Sequence, residues 1–177
     1  YLANSVCVCM DFHSQRDWNA FAAPLKPGTF GAGGEKVDRT MKIPGGFYSK
    51  NLTPFALGSW TDGEIYRAIT SGVNKDGRLF FPGMPYLNYN KLATEDVHSI
   101  ISYLRSLDPV ESAPYPESVI DFPVNLIMRT IPEPAKPMVR PAPSDPEYGA
   151  YMVNAAACVE CHTNQEKGTK IGEPFAG

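Results

Sequence analysis

The feature that most limits how this chain of 177 residues can fold is the stretch Cys158-Val159-Glu160-Cys161-His162. Two thiols three positions apart can lie on one short helical turn, where each adds to one vinyl group of a haem. The imidazole that follows directly then lies beneath the iron as its proximal ligand. The motif therefore predicts covalent attachment of a haem through Cys158 and Cys161, with His162 on the iron.

Two other roles for these cysteines remain open at this point. Together with Cys7-Val8-Cys9, they would supply the four thiolates of a tetrahedral zinc site. A redox-active dithiol is the second alternative, but such a pair normally follows a strand, whereas residues 147–157 have the pattern of a helix. Under either alternative, the protein would contain no haem.

The composition excludes some classes of function. A net charge of −3 offers no basic surface for nucleic acid, so we expect no nucleic-acid partner. The longest apolar runs are far shorter than the roughly 18 residues needed to cross a bilayer, so we expect no transmembrane segment. The chain opens on Tyr1-Leu2-Ala3 without an initiator Met or a signal-peptide pattern. We therefore expect a processed or truncated chain, with any leader or anchor outside it.

Proline marks out a linker, because ten of the 17 prolines lie between Pro109 and Pro146. Proline lacks the amide donor and fixes φ, so this density predicts neither a long helix nor a central strand there. Apolar residues such as Ile120, Phe122 and Leu126 favour an extended strap against the domains over a flexible spacer.

Helices are predicted on both sides of this linker. Thr61-Asp62-Gly63-Glu64 is a capping box, and the helix that it opens should end at Gly72. A second helix should begin at Thr94 and continue to Pro109. After the linker, Ser144 or Asp145 should cap a helix with Pro146 at its first position. We also expect a short first helix over 2–10, and loops over 28–34 and 43–59.

An incomplete copy of the main motif lies near the start of the chain. Cys9-Met10-Asp11-Phe12-His13 has the same spacing, with Phe12 where the second Cys should be. Tyr1-Leu2-Ala3-Asn4 precedes it as Tyr151-Met152-Val153-Asn154 precedes the later motif, with an offset of one residue, which indicates an internal repeat. We therefore predict two haem sites in tandem, the first tethered through Cys9 alone, with Cys7 as a small buried hydrophobic residue.

On these segments the chain resembles the class I c-type cytochromes, and especially the two-domain, dihaem cytochrome c subunits of respiratory complexes and dehydrogenases. The further matching segments are Asn51-Leu52-Thr53-Pro54, Gly58 to Ile65 and Phe81-Pro82-Gly83-Met84-Pro85-Tyr86. The resemblance implies an all-α fold of tandem haem domains. The first domain covers 1–108, the Pro-rich strap 109–144, and an incomplete second domain 145–177.

The resemblance also implies an axial ligand in Gly83-Met84-Pro85. Pro85 favours an extended backbone at Met84, and Gly83 removes bulk beside it, so that a thioether there can project inward from a loop. A soft thioether opposite a His favours Fe(II) and keeps both axial positions occupied. The expected cofactor-binding residues are Cys9, His13, Met84, Cys158, Cys161 and His162, and the expected iron ligands are His13, Met84 and His162.

Several other side chains are weaker candidates for roles at the haem sites. No Met follows His162, so the sixth ligand of the second haem is expected from outside this chain. Asn51 is a candidate for a haem propionate by resemblance alone, and His98 is expected to be a surface or packing residue. Aromatic candidates for the first haem crevice, or for ordinary core, are Trp60, Tyr66, Tyr86 and Tyr89.

The resemblance implies electron transfer between a donor and an acceptor in a respiratory or dehydrogenase chain, with two haem c and no substrate site of its own. The expected partners are redox proteins in a larger membrane-associated complex. Covalent haem implies export to the periplasm or an equivalent compartment. The alternative is a haem enzyme, of the dihaem peroxidase or thiosulfate-oxidising type, with one open iron position.

Overall fold

The computed structural model describes residues 1–41, 43–166 and 169–177 and is mostly helical. The α-helices are α1 Cys9–Phe12, α2 Pro54–Leu57, α3 Asp62–Ser71, α4 Tyr86–Tyr89, α5 Thr94–Arg105, α6 Val124–Ile127, α7 Pro146–Ala155 and α8 Cys158–Cys161. A π-helix covers Leu2–Val6, and 3₁₀ turns cover Arg39–Met41 and Met128–Thr130. The strands are β1 Lys36–Asp38, β2 Gly45–Tyr48, β3 Val119–Ile120, β4 Gln165–Glu166 and β5 Thr169–Lys170.

The mostly helical fold agrees with the predicted fold class, but it also contains a three-stranded sheet that was not predicted. β2 pairs antiparallel with β1, where Val37 lies opposite Phe47, and with β3, where Gly46 lies opposite Val119. The expected loop over 43–59 therefore contains β2 and α2. These strands could not be predicted, because each has only two to four residues, too few to show an alternating pattern.

Both predicted ends of α3 are confirmed. The Thr61 hydroxyl accepts the Glu64 N–H at 3.2 Å, and the Glu64 carboxylate accepts the Thr61 N–H at 2.7 Å. Gly72 ends the helix with φ +68°. A Cβ at this glycine would lie 2.5 Å from the Tyr86 ring, so a larger residue would push α4 away from α3.

Helix α5 lies at the centre of the core. It begins at Thr94 as predicted but ends at Arg105, before Pro109. Its buried face carries Val97, Ile100, Ile101 and Leu104. This face packs with the π-helix, with Tyr89 and Leu92, and with Tyr151 and Ala155 of α7, so that one core joins both ends of the chain.

The start of the chain departs from the continuous helix expected over 2–10. The π-helix ends at Val6, Cys7 caps it, and Val8 takes a left-handed conformation with φ +45° before α1 begins. A left-handed residue cannot continue a right-handed helix, so the two short helices meet at an angle that a single helix would not allow.

The Pro-rich segment runs along β2 and the residues that follow α4. β3 joins the sheet, the Lys136 N–H donates to the Asn90 carbonyl at 2.8 Å, and Met128 is 2% exposed. Beyond it, Asp145 caps α7 by accepting the Glu147 N–H, and Pro146 occupies the first helical position as predicted.

The helices of the described residues are all short. None of them combines the length and the hydropathy needed to cross a membrane.

We expect Leu92→Ala to lower the free energy of unfolding of the holoprotein by about 2–5 kcal/mol, because Leu92 is fully buried and its removal leaves a cavity. Denaturant titration measures this loss. Leu126→Ala is the matched control, since Leu126 is 51% exposed and its truncation should change the value by no more than about 0.5 kcal/mol. Equal losses of unfolding free energy in the two variants would contradict the placement of Leu92 in the core.

Candidate functional site

A cavity of about 1350 Å³ lies within the first 120 residues. Its walls come from α2, α3, α5, strand β2, the loop before α4 and the first part of the Pro-rich segment. The lining is mostly apolar and includes Leu52, Ile65, Ile69, Ile100 and Leu104. Typical small-molecule sites occupy about 300–1000 Å³, so this cavity has room for a macrocycle as large as haem.

His13 lies at the end of α1 and lines this cavity. Its Nδ1 is 2.7 Å from the Lys50 carbonyl oxygen. A carbonyl only accepts hydrogen bonds, so Nδ1 carries the proton and Nε2 keeps its lone pair. Burial lowers the pKa of His13, partly offset by this hydrogen bond, so the ring is neutral at neutral pH. A neutral imidazole with a free Nε2 is the form that binds a metal.

Met84 lines the same cavity from the loop before α4. Hydrogen bonds hold this loop: the Met84 N–H donates to the Phe81 carbonyl at 3.1 Å, and the Tyr86 N–H donates to the Met84 carbonyl at 2.8 Å. Phe81 also stacks on Phe47 of β2, with ring centroids 4.4 Å apart. The fold thus brings an imidazole and a thioether to one apolar space.

The thiols of the first motif also face this space. Cys9 is half-buried and lines the cavity, and burial raises its pKa to about 11. Cys7 lines it too and is 3% exposed, as expected of a small buried residue, with a pKa raised by burial to about 12. Phe12, in place of the second Cys, is 61% exposed at the edge of the cavity. That Cys7 reaches the cavity was not predicted.

The other candidates divide between the cavity and its surroundings. Trp60 and Tyr89 line the cavity, and so does Asn51, whose amide donates to the Val110 carbonyl at 2.8 Å. Tyr66 and Tyr86 are not among the lining residues. Tyr66 packs on the exposed His98, with ring centroids 5.6 Å apart, and Tyr86 is buried under α3.

These residues fit a haem. The cavity has the size and the apolar walls for a porphyrin, and its lining includes a thiol, a neutral imidazole and a thioether. A soft sulfur and a nitrogen are the axial donors of cytochrome iron. The donor atoms and the size of the cavity therefore both fit a haem.

The later motif repeats the backbone of the first. Ala157 precedes α8 with φ 53° and ψ 30°, as Val8 precedes α1 with φ 45° and ψ 36°. His162 follows α8 with φ −98° and ψ 25°, as His13 follows α1 with φ −101° and ψ 27°. The two motifs have one local structure although Phe12 replaces a cysteine in the first.

The π-helix explains the one-residue offset within the repeat. The Cys7 N–H donates to the carbonyl of Leu2, five residues earlier, whereas the Ala156 N–H donates to that of Met152, four residues earlier. A π-turn accommodates one extra residue in a helix. The first copy therefore has one more residue before its motif and keeps the motif geometry.

The repeat continues beyond the histidines. The buried Ser14 hydroxyl accepts the Gly31 N–H at 3.0 Å, and the buried Thr163 hydroxyl accepts the Phe175 N–H at 3.2 Å. Gly33 donates to the His13 carbonyl, and Gly177 donates to that of His162. Two hydrogen bonds of the loop that follows α1 therefore have counterparts in the described residues after α8.

The later motif lies nearer the surface. Cys158 is half-buried, and Cys161 and His162 are exposed. Within residues 1–41, 43–166 and 169–177, no three His, Cys, Asp or Glu side chains are grouped so that they could hold a metal ion. The four cysteines thus do not form the tetrahedral cage of the zinc alternative.

Known proteins resemble this chain over most of its length. It is 33% identical over 153 residues to the fructose dehydrogenase cytochrome subunit of Gluconobacter japonicus, a match that covers 78% of this chain and 30% of that protein. It is 31% identical over 145 residues to the cytochrome c subunit of a quinone alcohol dehydrogenase of Gluconacetobacter polyoxogenes, covering 75% and 30%. It is 28% identical over 145 residues to a diheme cytochrome c-type protein of Cereibacter sphaeroides, covering 75% and 47%.

No protein-family model matches the sequence. The chain spans about 30% of the length of the first two relatives. Its similarity to these subunits agrees with the two motifs and with the donors that line the cavity. The chain is therefore a member of the c-type cytochromes, the family of the cytochrome c subunits to which its sequence is similar.

Proposed function

We propose that this chain transfers electrons through two haem c groups, as part of a cytochrome subunit of a dehydrogenase. One observation carries the proposal: the neutral His13 imidazole, with Nδ1 fixed by the Lys50 carbonyl, and the Met84 thioether line one apolar cavity beside Cys9. When bound, haem supplies a reversible one-electron couple. The chain supplies the environment that sets the potential of this couple.

Each residue of the first site has a distinct role in this proposal. Cys9 would tether the cofactor by one thioether, and Nε2 of His13 and the sulfur of Met84 would be the two donors to its iron. The apolar walls exclude water and favour the less charged, reduced state. With these two donors on the iron, the site would pass electrons and would not bind oxygen or peroxide.

The second haem is assigned to Cys158, Cys161 and His162 in the same proposal. The shared backbone of the two motifs supports a first haem domain over 1–108 and the opening of a second over 145–177. Residues 109–144 are the Pro-rich strap between them.

The relatives guide the choice of partners. The similar proteins include cytochrome subunits of fructose, alcohol and gluconate dehydrogenases. This favours electron transfer over the alternative of a haem enzyme with an open iron. We infer that the chain receives electrons from a dehydrogenase subunit and passes them to another redox protein, in the periplasm, within a membrane-associated complex.

Optical and redox titration of the purified holoprotein tests the proposal. It should show two haems per chain, reduced in two one-electron steps, with the haem at His13 and Met84 low-spin. High-spin iron at that first haem, open to carbon monoxide before any mutation, would instead favour the haem enzyme. A protein without haem would overturn both functions.

Met84→Ala should lower the midpoint potential of one haem and open its iron to carbon monoxide, because the soft thioether that favours Fe(II) is lost. Spectroelectrochemistry and carbon monoxide titration measure the two effects. Met138→Ala is the matched control, since Met138 lies in the Pro-rich segment and is 43% exposed. A Met84→Ala spectrum and potential equal to those of the control would show that Met84 is not a ligand.

Mass spectrometry of haem peptides should find one thioether in the first motif, at Cys9, and two in the second. Cys7 should remain a free thiol that resists alkylation at pH 8 in the folded protein, because burial and a pKa near 12 keep it protonated. After denaturation it should be alkylated fully. A Cys7 that stays unlabelled after denaturation would indicate a thioether there and contradict the assignment.

A further inference from the structure

Three distant segments meet at the carboxylate of Asp96, in the first turn of α5. This residue is 1% exposed. Its Oδ1 accepts a hydrogen bond from Arg140 of the Pro-rich segment at 2.7 Å, and its Oδ2 accepts one from the Tyr151 hydroxyl of α7 at 2.5 Å. The Tyr151 oxygen in turn accepts the Ala93 N–H at 3.0 Å.

A buried carboxylate needs such partners, because an ion removed from water is costly unless it is paired and hydrogen-bonded. Both Asp96 oxygens are paired, one with a charge and one with a hydroxyl. The Tyr151 hydroxyl both donates and accepts, and its residue is 2% exposed. Moving α7 away would therefore leave buried polar groups unpaired on both sides, which gives α7 one preferred position.

The position of α7 determines what lies beside Met84. Asn154 of α7 donates its amide to the Asn88 carbonyl of α4 at 3.0 Å. A second cavity, of about 490 Å³, is lined by Met84 and also by Glu160, which lies between the two cysteines of the later motif. The segment that carries Met84 thus has the first cavity on one side and the later motif on the other.

We infer that Asp96, Arg140 and Tyr151 form a positioning clasp that holds the later haem motif against the Met84 segment and so fixes the separation of the two haems. The inference rests on the proposed function. Electron exchange between the haems takes one electron from one iron and gives it to the other, and it needs no proton or further reactant. Its rate falls steeply with separation, so the clasp sets how fast this exchange is.

The test uses the full holoprotein with both irons as Fe(III). Pulsed electron paramagnetic resonance gives the distribution of iron–iron distances, and photochemical reduction followed by transient absorption gives the rate of electron redistribution. The variants are Tyr151→Phe, which removes one hydroxyl and keeps the ring, and Arg140→Gln, which changes a side chain that is 48% exposed and not part of the core. The optical spectrum and the unfolding midpoint are measured for each.

Asp121→Asn is the matched control. Asp121 also joins the Pro-rich segment to the first domain, by two hydrogen bonds from Arg39 at 2.9 and 2.5 Å, but this exposed pair does not contact α7. The Asp121→Asn substitution therefore removes an ion pair of the same segment and leaves Asp96, Arg140 and Tyr151 unchanged.

Both clasp variants should keep two haems with the optical spectrum of the unmodified protein, broaden the iron–iron distance distribution and slow electron redistribution by about tenfold, as expected when redox centres lose a fixed geometry. The control should stay within about twofold of the unmodified protein, as for a surface substitution. Distances and rates unchanged in both clasp variants would overturn the inference while the proposed function stands. Fewer than two haems in the unmodified protein would overturn the proposed function, and the clasp with it, before any variant is made.

Discussion

The hydrogen bond between His13 Nδ1 and the Lys50 carbonyl is the contact on which the first site depends. It fixes the tautomer, so that a ring otherwise free to rotate or gain a proton can present Nε2 to a metal. Lys50 follows β2, which is paired on one side with β1 and on the other with β3 of the Pro-rich segment. The small sheet therefore has a structural role in this mostly helical protein, because it holds the carbonyl that orients the His13 ring.

Comparison of the two motifs separates what the backbone conformation determines from what the cysteine side chains add. Val8 and Ala157 both take a left-handed conformation that starts the turn, and His13 and His162 end it in the same way. The loss of a cysteine at Phe12 does not alter this turn, and the extra residue before it is absorbed by the π-helix. The geometry that places Cys9 and His13 therefore does not need the second thiol, which is consistent with one thioether at this site.

Much of the helical structure could be predicted from local signals. The capping box at Thr61, the left-handed Gly72 and the Asp145-Pro146 start of α7 each depend on residues within a few positions of one another. The sequence also identified His13, Met84 and Cys9, which the fold places around one cavity. Their assignment as ligands and tether remains a prediction.

What the sequence could not show depends on long-range contacts and on backbone atoms. Pairing of β2 with β3 joins residues far apart in the chain, through strands too short to leave a pattern. The Lys50 carbonyl has no side-chain signature, since every residue has a carbonyl. Asp96 looks like an ordinary helix-start acid, and only the fold brings it to Arg140 and Tyr151.

A density map of the holoprotein tests the central claim most directly. The account predicts a tetrapyrrole that fills the 1350 Å³ cavity, with its iron bonded to Nε2 of His13 and to the sulfur of Met84. A cavity without a tetrapyrrole, or an iron bonded to neither residue, would contradict it.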